Sequence, residues 1–258
     1  MKSAISLMIL TITCFLVSLP SPTNAAKKFP FGKNTKSCHK SDPKLNECVK
    51  NAFNSMMSSL AKGVPQYGVV PLDPLLLKTF NVQQGKNGPI AIDLRFHDLN
   101  ILGITSAKVK SVSTDLDKYK ISLEADLDKP IVLDGMYKIK GNILVLPITG
   151  HGKSNLTLTN FRCHMAITGK PVDKSGKTHW EVEEFVFKLK ASRLYVKLEN
   201  LFNGDKALGD NMNKFLNDNW EILLAEMQPA FEANLAAAFK EITNRVFLKT
   251  PIDMIIPE

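Results

Sequence analysis

The stretch LGDNMNKFLNDNWEILLAEMQPAFEANLAAAFKEITNRV, residues 208–246, decides the fold because its large apolar side chains recur every three or four positions. That spacing lines one face of an α-helix. The face consists of Leu208, Met212, Phe215, Leu216, Trp220, Leu223, Met227, Phe231, Leu235, Phe239, Ile242 and Val246. A straight helix of roughly 40 residues would be about 60 Å long. Asn203-Gly204-Asp205 mark its start, and Pro229, which lacks a backbone N–H, predicts a kink near Ala225 that divides it in two.

The roughly 110 residues before this helix alternate apolar and polar side chains, which is typical of strands with one dry and one wet face. The alternation is unbroken over residues 119–127, and residues 173–177, DKSGK, form a turn between two long strands. The apolar parity changes three times, at His97-Asp98, between Leu158 and Phe161, and between Val182 and Phe185. A parity change indicates a bulge that bends a strand, so we predict a strongly curved sheet around the helix, enclosing an elongated apolar interior.

The first residues are typical of an export signal. Lys2 precedes an apolar run from Ala4 to Leu19, and Thr23-Asn24-Ala25 suits a signal peptidase. The run is shorter than the roughly 20 residues that span a bilayer, and no other stretch is apolar enough to do so. We therefore expect a signal peptide at 1–25, a secreted protein, and a single domain at 26–258, since no short repeat divides the rest of the chain.

A short N-terminal helix is expected after Ser41-Asp42-Pro43, with Asp42 as its cap, and Gly63 should end it. Its apolar stripe consists of Leu45, Val49, Phe53, Met56, Met57 and Leu60. Residues 71–88 contain two prolines and two glycines and are interpreted as an irregular link.

Three cysteines remain after removal of the signal peptide with its Cys14. Cys38 and Cys48 close a loop of about ten residues, and we predict a disulfide between them, contributing roughly 2 to 3 kcal/mol. Cys163 is in phase with Phe161 and Met165, which favours an inert buried thiol. Asn155-Leu156-Thr157 is a glycosylation acceptor, and the alternation places Asn155 toward water.

The charge pattern argues for a solvated surface. The formal charge of +8 falls to +7 once Lys2 is removed, and the lysines are scattered along strands. Weak attraction to anionic membranes stays open, whereas no aromatic-interleaved basic run supports nucleic-acid binding.

Candidate catalytic motifs fail on spacing or context. Residues 150–154, GHGKS, imitate the end of a phosphate-binding loop, but a strand pattern follows them. The five histidines never fall at metal-ligand spacing, and we expect no metal or cofactor. Cys163 and His164 are neighbours on a strand, so they point to opposite faces and cannot form a nucleophile and base pair unaided. We therefore expect no enzyme, although a triad of distant residues stays open.

The sequence resembles the insect takeout proteins within the juvenile-hormone-binding-protein family, over nearly the whole mature chain. The residues that carry the resemblance are Cys38 and Cys48, residues 71–75 (PLDPL), Asp98-Leu99-Asn100 to Gly103, residues 201–209 (LFNGDKALG), residues 215–220 (FLNDNW), Pro229, Phe247 and Pro251. The resemblance implies an α+β fold, a curved antiparallel sheet around a long C-terminal helix with an internal hydrophobic tunnel, as in the wider group of tubular lipid-binding proteins. Members that bind the hormone resemble proteins with a second cysteine pair, whereas Cys163 has no partner in this sequence. The takeout branch is therefore favoured, and the resemblance does not imply juvenile hormone as the ligand.

Our leading hypothesis is a secreted, non-enzymatic carrier of a terpenoid, fatty acyl or quinone-like molecule, bound by flexible apolar side chains. The expected tunnel lining is Phe53, Met57, Leu60, Leu94, Phe96, Ile121, Leu123, Met136, Phe161, Met165, Phe185, Phe187, Leu194, Val196, Phe215, Leu223, Met227, Phe231, Leu235 and Phe239. Ordinary core packing is the alternative for each of them. The alternatives for the whole protein are a membrane-active lipid-transfer or defence protein and a lipid-modifying hydrolase that needs His164. An unidentified receptor stays open as a partner.

Overall fold

The computed structural model describes residues 37–83 and 89–258. The predicted signal peptide at 1–25 lies outside the described residues. The α-helices are α1 Leu45–Ala61, α2 Lys206–Asp218, α3 Trp220–Phe247 and α4 Ile252–Ile255. The strands are β1 Leu75–Gln83, β2 Ile90–Leu102, β3 Ala107–Asp115, β4 Lys120–Leu127, β5 Ile131–Ile143, β6 Leu146–Thr159, β7 Arg162–Lys174, β8 Lys177–Lys190 and β9 Arg193–Leu198.

The strands pair antiparallel in two sheets, ordered β1-β2-β5-β6-β9 and β3-β4-β7-β8. The chain passes from one sheet to the other at tight corners. At the corner after β2, Gly103 has φ of 93°, and a Cβ there would lie 2.3 Å from the Pro130 carbonyl oxygen. Only glycine fits such a close approach. The predicted curved antiparallel sheet around a C-terminal helix is confirmed, with its strands divided between two sheets that curl without closing.

The three parity changes have two physical origins. Two are bulges, one between His97 and Asn100 in β2 and one opposite Thr168-Gly169, where Glu183 is the extra residue of β8. The third is a corner at Asn160, with φ of 48°, where the chain leaves β6 for the other sheet. A bulge bends a strand, and a corner passes the chain from one sheet to the other. Both therefore help the sheets to curve around the helix.

The C-terminal helix is divided, but not where the sequence predicts. α3 runs without a break through Ala225 and Pro229, whereas Asn219 leaves helical geometry with φ of −111° and separates α2 from α3. The predicted division near Ala225 is therefore wrong. Pro229 removes one backbone hydrogen bond from α3. Because α3 packs along its length against a sheet, it tolerates that loss. Of the described helices, none has the length and apolar character needed to cross a bilayer.

Two other expectations need correction near the N-terminus. The predicted irregular link contains β1, whose inward residues Phe80 and Val82 are fully buried. The first helix begins at Leu45 with Lys44 as its N-cap, so the predicted Asp42 cap is wrong. The Asp42 carboxylate instead accepts a hydrogen bond from the Lys44 N–H at 2.8 Å, before the helix begins. The helix ends before Gly63, as predicted, and the chain turns there with φ of 75°.

Side-chain amides on the helices bond the outer strands of both sheets. Asn217 and Val196 of β9 exchange two hydrogen bonds of 3.0 and 2.7 Å, and Asn244 and Val182 of β8 exchange two of 2.8 and 3.0 Å. Asn54 of α1 likewise exchanges two hydrogen bonds with Val109 of β3, whereas Asn234 of α3 donates one to the Asn81 carbonyl oxygen of β1. These amides replace the missing neighbouring strand at each edge and fix the helices against the sheets.

Candidate ligand-binding cavity

A cavity of about 310 Å³ lies between the two sheets and the helices α1 and α3. Residues of the strands and of the corner before β7 on its wall include Ile121, Leu123, Phe161, Met165, Phe185 and Phe187. Helix residues on its wall include Phe53, Met57, Leu60, Phe231, Leu235 and Phe239. These side chains meet because the inward positions of the strands face the apolar stripe of α3, while α1 covers β3.

The wall carries almost no polarity. Among the described residues that line the cavity, none has a charged side chain, and the hydroxyl side chains are those of Ser37 and Thr243. The Thr243 hydroxyl donates to the Phe239 carbonyl oxygen at 2.7 Å, so it is already satisfied within α3. The cavity therefore suits an apolar guest and offers no counter-ion to a buried charge.

Cys163 is the free cysteine of the described residues, and it lines the cavity. Burial raises the pKa of its thiol to about 11, and the negative charge of Asp126 adds to the rise. The thiol is therefore neutral and weakly nucleophilic at physiological pH, as its position on the apolar face of β7 predicts.

Residues 37–40 and 255–258 together form part of the cavity wall, and we call them the terminal wall. Cys38, Ile255 and Ile256 face the cavity there. The Lys40 N–H donates to the Pro257 carbonyl oxygen at 2.7 Å, which joins the two segments. The predicted disulfide between Cys38 and Cys48 is confirmed and ties the wall to α1.

A second, much smaller void of about 30 Å³ lies between the five-stranded sheet and the N-terminal part of the C-terminal helices. Its wall includes Leu94, Phe96, Leu194, Val196, Leu223 and Met227. It has room for about one water molecule but is lined entirely by apolar side chains, so a water there would have no polar partner.

The expected lining residues divide among these places. Twelve face the large cavity: Phe53, Met57, Leu60, Ile121, Leu123, Phe161, Met165, Phe185, Phe187, Phe231, Leu235 and Phe239. Six face the small void: Leu94, Phe96, Leu194, Val196, Leu223 and Met227. Phe215 packs against the hydrophobic core and reaches neither. Met136 is 47% exposed, so the expectation that it faces the interior is wrong. It shares the outer face of β5 with Asp134 and Lys138.

The sequence did not predict several residues that line the large cavity. They include Ile101, Leu127, Leu158, Leu189, Ile242, Val246, Phe247, Ile255 and Ile256. Ile242 and Val246 belong to the apolar stripe of the long helix, and this stripe was sufficient to predict that they face the interior. Ile255 and Ile256 follow Pro251 in a segment too short to show a period, so only the folded chain places them at the cavity.

The residues considered in the sequence as phosphate-binding, catalytic or glycosylation sites lie on β6 and β7. Residues 150–154 belong to β6, so the stretch that imitates a phosphate loop has no following helix. Cys163 is buried, whereas His164 is half-buried on the opposite face of β7. Asn155 lies outward on β6, half-buried, with its side-chain oxygen accepting from the Thr157 hydroxyl at 3.1 Å.

Comparison with known proteins agrees with this architecture. The family model described as haemolymph juvenile hormone binding protein matches residues 9–257. The chain belongs to this family. It is similar to the crystal structure of Epiphyas postvittana Takeout 1, with a TM-score of 0.73 and 29% sequence identity over 86% of this chain and 99% of that chain. The predicted takeout resemblance is confirmed.

Two curated relatives extend the comparison. The circadian clock-controlled protein daywake of Drosophila melanogaster is 26% identical over 213 residues, 80% of this chain and 82% of the relative. The juvenile hormone-binding protein of Manduca sexta is 24% identical over 140 residues, 52% of this chain and 56% of the relative. Members of the family bind hydrophobic small ligands.

Proposed function

We propose that this protein is a secreted, non-enzymatic carrier that holds one long apolar molecule, a terpenoid, fatty acyl or quinone-like lipid, in the large cavity. The observation that carries the proposal is a 310 Å³ cavity with an uncharged apolar wall inside a fold of hydrophobic-ligand carriers. Phenylalanine and methionine side chains on that wall adapt to guests of imprecise shape.

The hydrophobic effect is the main driving force for binding such a guest. A guest that buries roughly 300 Å² of apolar surface gains about 7.5 kcal/mol before the cost of its lost freedom is subtracted. Because an ionised group without a partner is costly to bury, the cavity favours a neutral guest, or one whose charged end stays outside.

Export is part of the proposal. The signal-like residues 1–25 and the disulfide between Cys38 and Cys48 both support an oxidising extracellular compartment. Removal of the signal would leave residues 26–258 as one ligand-binding domain. Detection of an intracellular, uncleaved chain in insect cells would contradict this.

The binding site is tested with a matched pair of methionine variants and a fluorescent apolar probe. Met165→Trp places an indole in the large cavity and should lower probe affinity about tenfold or more by occupying the space of the guest. Met136→Trp makes the same change on the exposed face of β5 and should leave affinity unchanged. Equal affinities in both variants, with both folded, would show that the probe binds elsewhere.

A further inference from the structure

The large cavity and the small void are consecutive compartments along one axis. On α3, Met227 lines the small void and Phe231, one turn later, lines the large cavity. On β6, Leu156 lines the small void and Leu158 lines the large cavity. The linings thus follow each other directly on the helix and on the sheet, and Met227 and Phe231 are separated by only about 6 Å along the helix axis.

Three phenylalanines lie between the two compartments, and we call them the aromatic partition: Phe80, Phe96 and Phe231. The Phe80 ring centroid lies 5.0 Å from that of Phe231 and 6.1 Å from that of Phe96, distances typical of packed aromatic pairs. Phe96 faces the small void and Phe231 faces the large cavity, with Phe80 between them.

The three members differ in how firmly they are held. Phe80 and Phe96 are 2% and 0% exposed and are paired in register on β1 and β2. Phe231 is only partly buried, and it comes from the helix side of the cavity. Phe231 is therefore the member whose ring can be removed without disturbing a sheet.

We propose that the aromatic partition sets the maximum length of the guest, with Phe231 as the residue that determines it. This inference rests on the proposed binding of an apolar guest in the large cavity. A guest that fits between the terminal wall and Phe231 lies against the apolar wall along its whole length. A longer guest must leave part of its chain in water or displace the ring, which would join the small void to the large cavity.

The test is a series of neutral straight-chain alcohols, 1-dodecanol, 1-hexadecanol, 1-eicosanol and 1-tetracosanol, that compete with a fluorescent apolar probe for the purified protein. For the unaltered protein, affinity should rise with length to an optimum and then fall. Phe231→Ala should move the optimum to a longer alcohol and improve binding of the longest one about tenfold relative to the shortest, because more of its chain becomes covered.

Two further variants separate length from volume. Phe239→Ala removes the same ring about two turns further along α3, where it contacts Phe185 and Phe187 and not the small void. It should leave the length optimum in place. The double variant Phe231→Ala/Met227→Phe returns a ring to the junction and should restore the original optimum. Circular dichroism and thermal unfolding verify that each variant folds.

The outcomes distinguish the two proposals. If the unaltered protein binds neither the probe nor any alcohol, the carrier function is wrong. If it binds them but Phe231→Ala keeps the same optimum, the carrier function stands and the partition does not limit length. An equal shift in Phe239→Ala would also overturn the partition, because cavity volume alone would then explain it.

Discussion

Cys163 is the residue that reports most directly on the cavity, because its thiol lies on the cavity wall. With its pKa raised to about 11 by burial, roughly one thiol in a thousand is ionised at pH 8. We predict slow alkylation by iodoacetamide at pH 8, faster alkylation as the pH approaches 11, and further slowing by a bound guest. Mass spectrometry measures the rate, with denatured protein as the fully reactive control. Rapid alkylation of the folded protein at pH 7 would contradict the assigned burial.

Glu232 is the buried carboxylate that joins α3 to β8. It is 5% exposed and accepts hydrogen bonds from the Lys188 ammonium at 2.7 Å, the Gln228 amide at 2.7 Å and the Leu189 N–H at 3.0 Å. Burial alone would raise the pKa of Glu232, but these donors and the Lys188 charge hold it below the ordinary value of 4.5. The stabilisation is therefore fully present above about pH 4.5 and is lost as the pH falls through the lower pKa of the folded state.

Glu232→Gln tests this pH dependence. At pH 7 the variant should lose about 1.5 to 3 kcal/mol of unfolding free energy, because the charge-assisted bonds are gone. The deficit relative to the unaltered protein should shrink below pH 4. Urea unfolding at a series of pH values measures it, with Glu221→Gln on the exposed face of the same helix as the control. A deficit that does not change with pH would contradict the role of the charge.

Individual residues also show where sequence reasoning succeeds. Period-two alternation placed Ile121, Leu123 and Met165 correctly on the inner faces of β4 and β7. The same alternation puts Met136 outside, in phase with Asp134 and Lys138, so the expectation that its residue type favours the interior is wrong. Phase is the better guide on a strand, because backbone geometry sets it.

At the scale of elements, the amides that bond the outer strands make a specific prediction. Asn244→Ala removes both hydrogen bonds to Val182, whose backbone groups are buried, and should cost about 1 to 3 kcal/mol of unfolding free energy. Asn234→Ala on the same helix removes a single 3.1 Å bond to the exposed Asn81 and should cost less than about 1 kcal/mol. Chemical denaturation of the two variants compares them, and equal losses would contradict the proposed edge bonding.

The terminal wall should control access to the cavity. Deletion of residues 251–258 removes Ile255 and Ile256 from the cavity wall and the Pro257 carbonyl that Lys40 bonds. We expect faster dissociation of an apolar probe and faster alkylation of Cys163, with the sheets still folded. Stopped-flow fluorescence and mass spectrometry measure the two rates. Unchanged rates would show that guests and reagents reach the cavity by another route.

Elements were predictable where a long pattern existed. The stripe over 208–246 and the strand alternation gave the helix and the curved sheet, but two local features could not be found. The helix breaks at Asn219 and not at Pro229 because α2 packs against β9 and α3 packs mainly against β8. The position of the break therefore depends on contacts with the sheets. β1 begins with a run of three leucines, Leu75 to Leu77, which shows no alternation, so its pairing with β2 decides its structure.

At the scale of the whole molecule, a guest that binds only the folded state must stabilise it. At a free guest concentration one hundred times its dissociation constant, the unfolding free energy should increase by about 2.7 kcal/mol. Thermal unfolding with and without 1-hexadecanol measures the shift. Met165→Trp should lose the shift, and Met136→Trp should retain it. A shift of the same size in both variants would mean that the alcohol stabilises the protein from its surface.

The proposed function requires that the space between the two sheets and α3 holds an apolar guest. A crystal structure of the protein loaded with 1-bromohexadecane tests it most directly, because the anomalous signal of bromine locates the guest. We predict a bromine peak inside the large cavity, with chain density running between Phe187 and Phe239 on one side and Met57 on the other. Side chains that fill this space completely, with bromine absent or found only on the surface, would contradict the account.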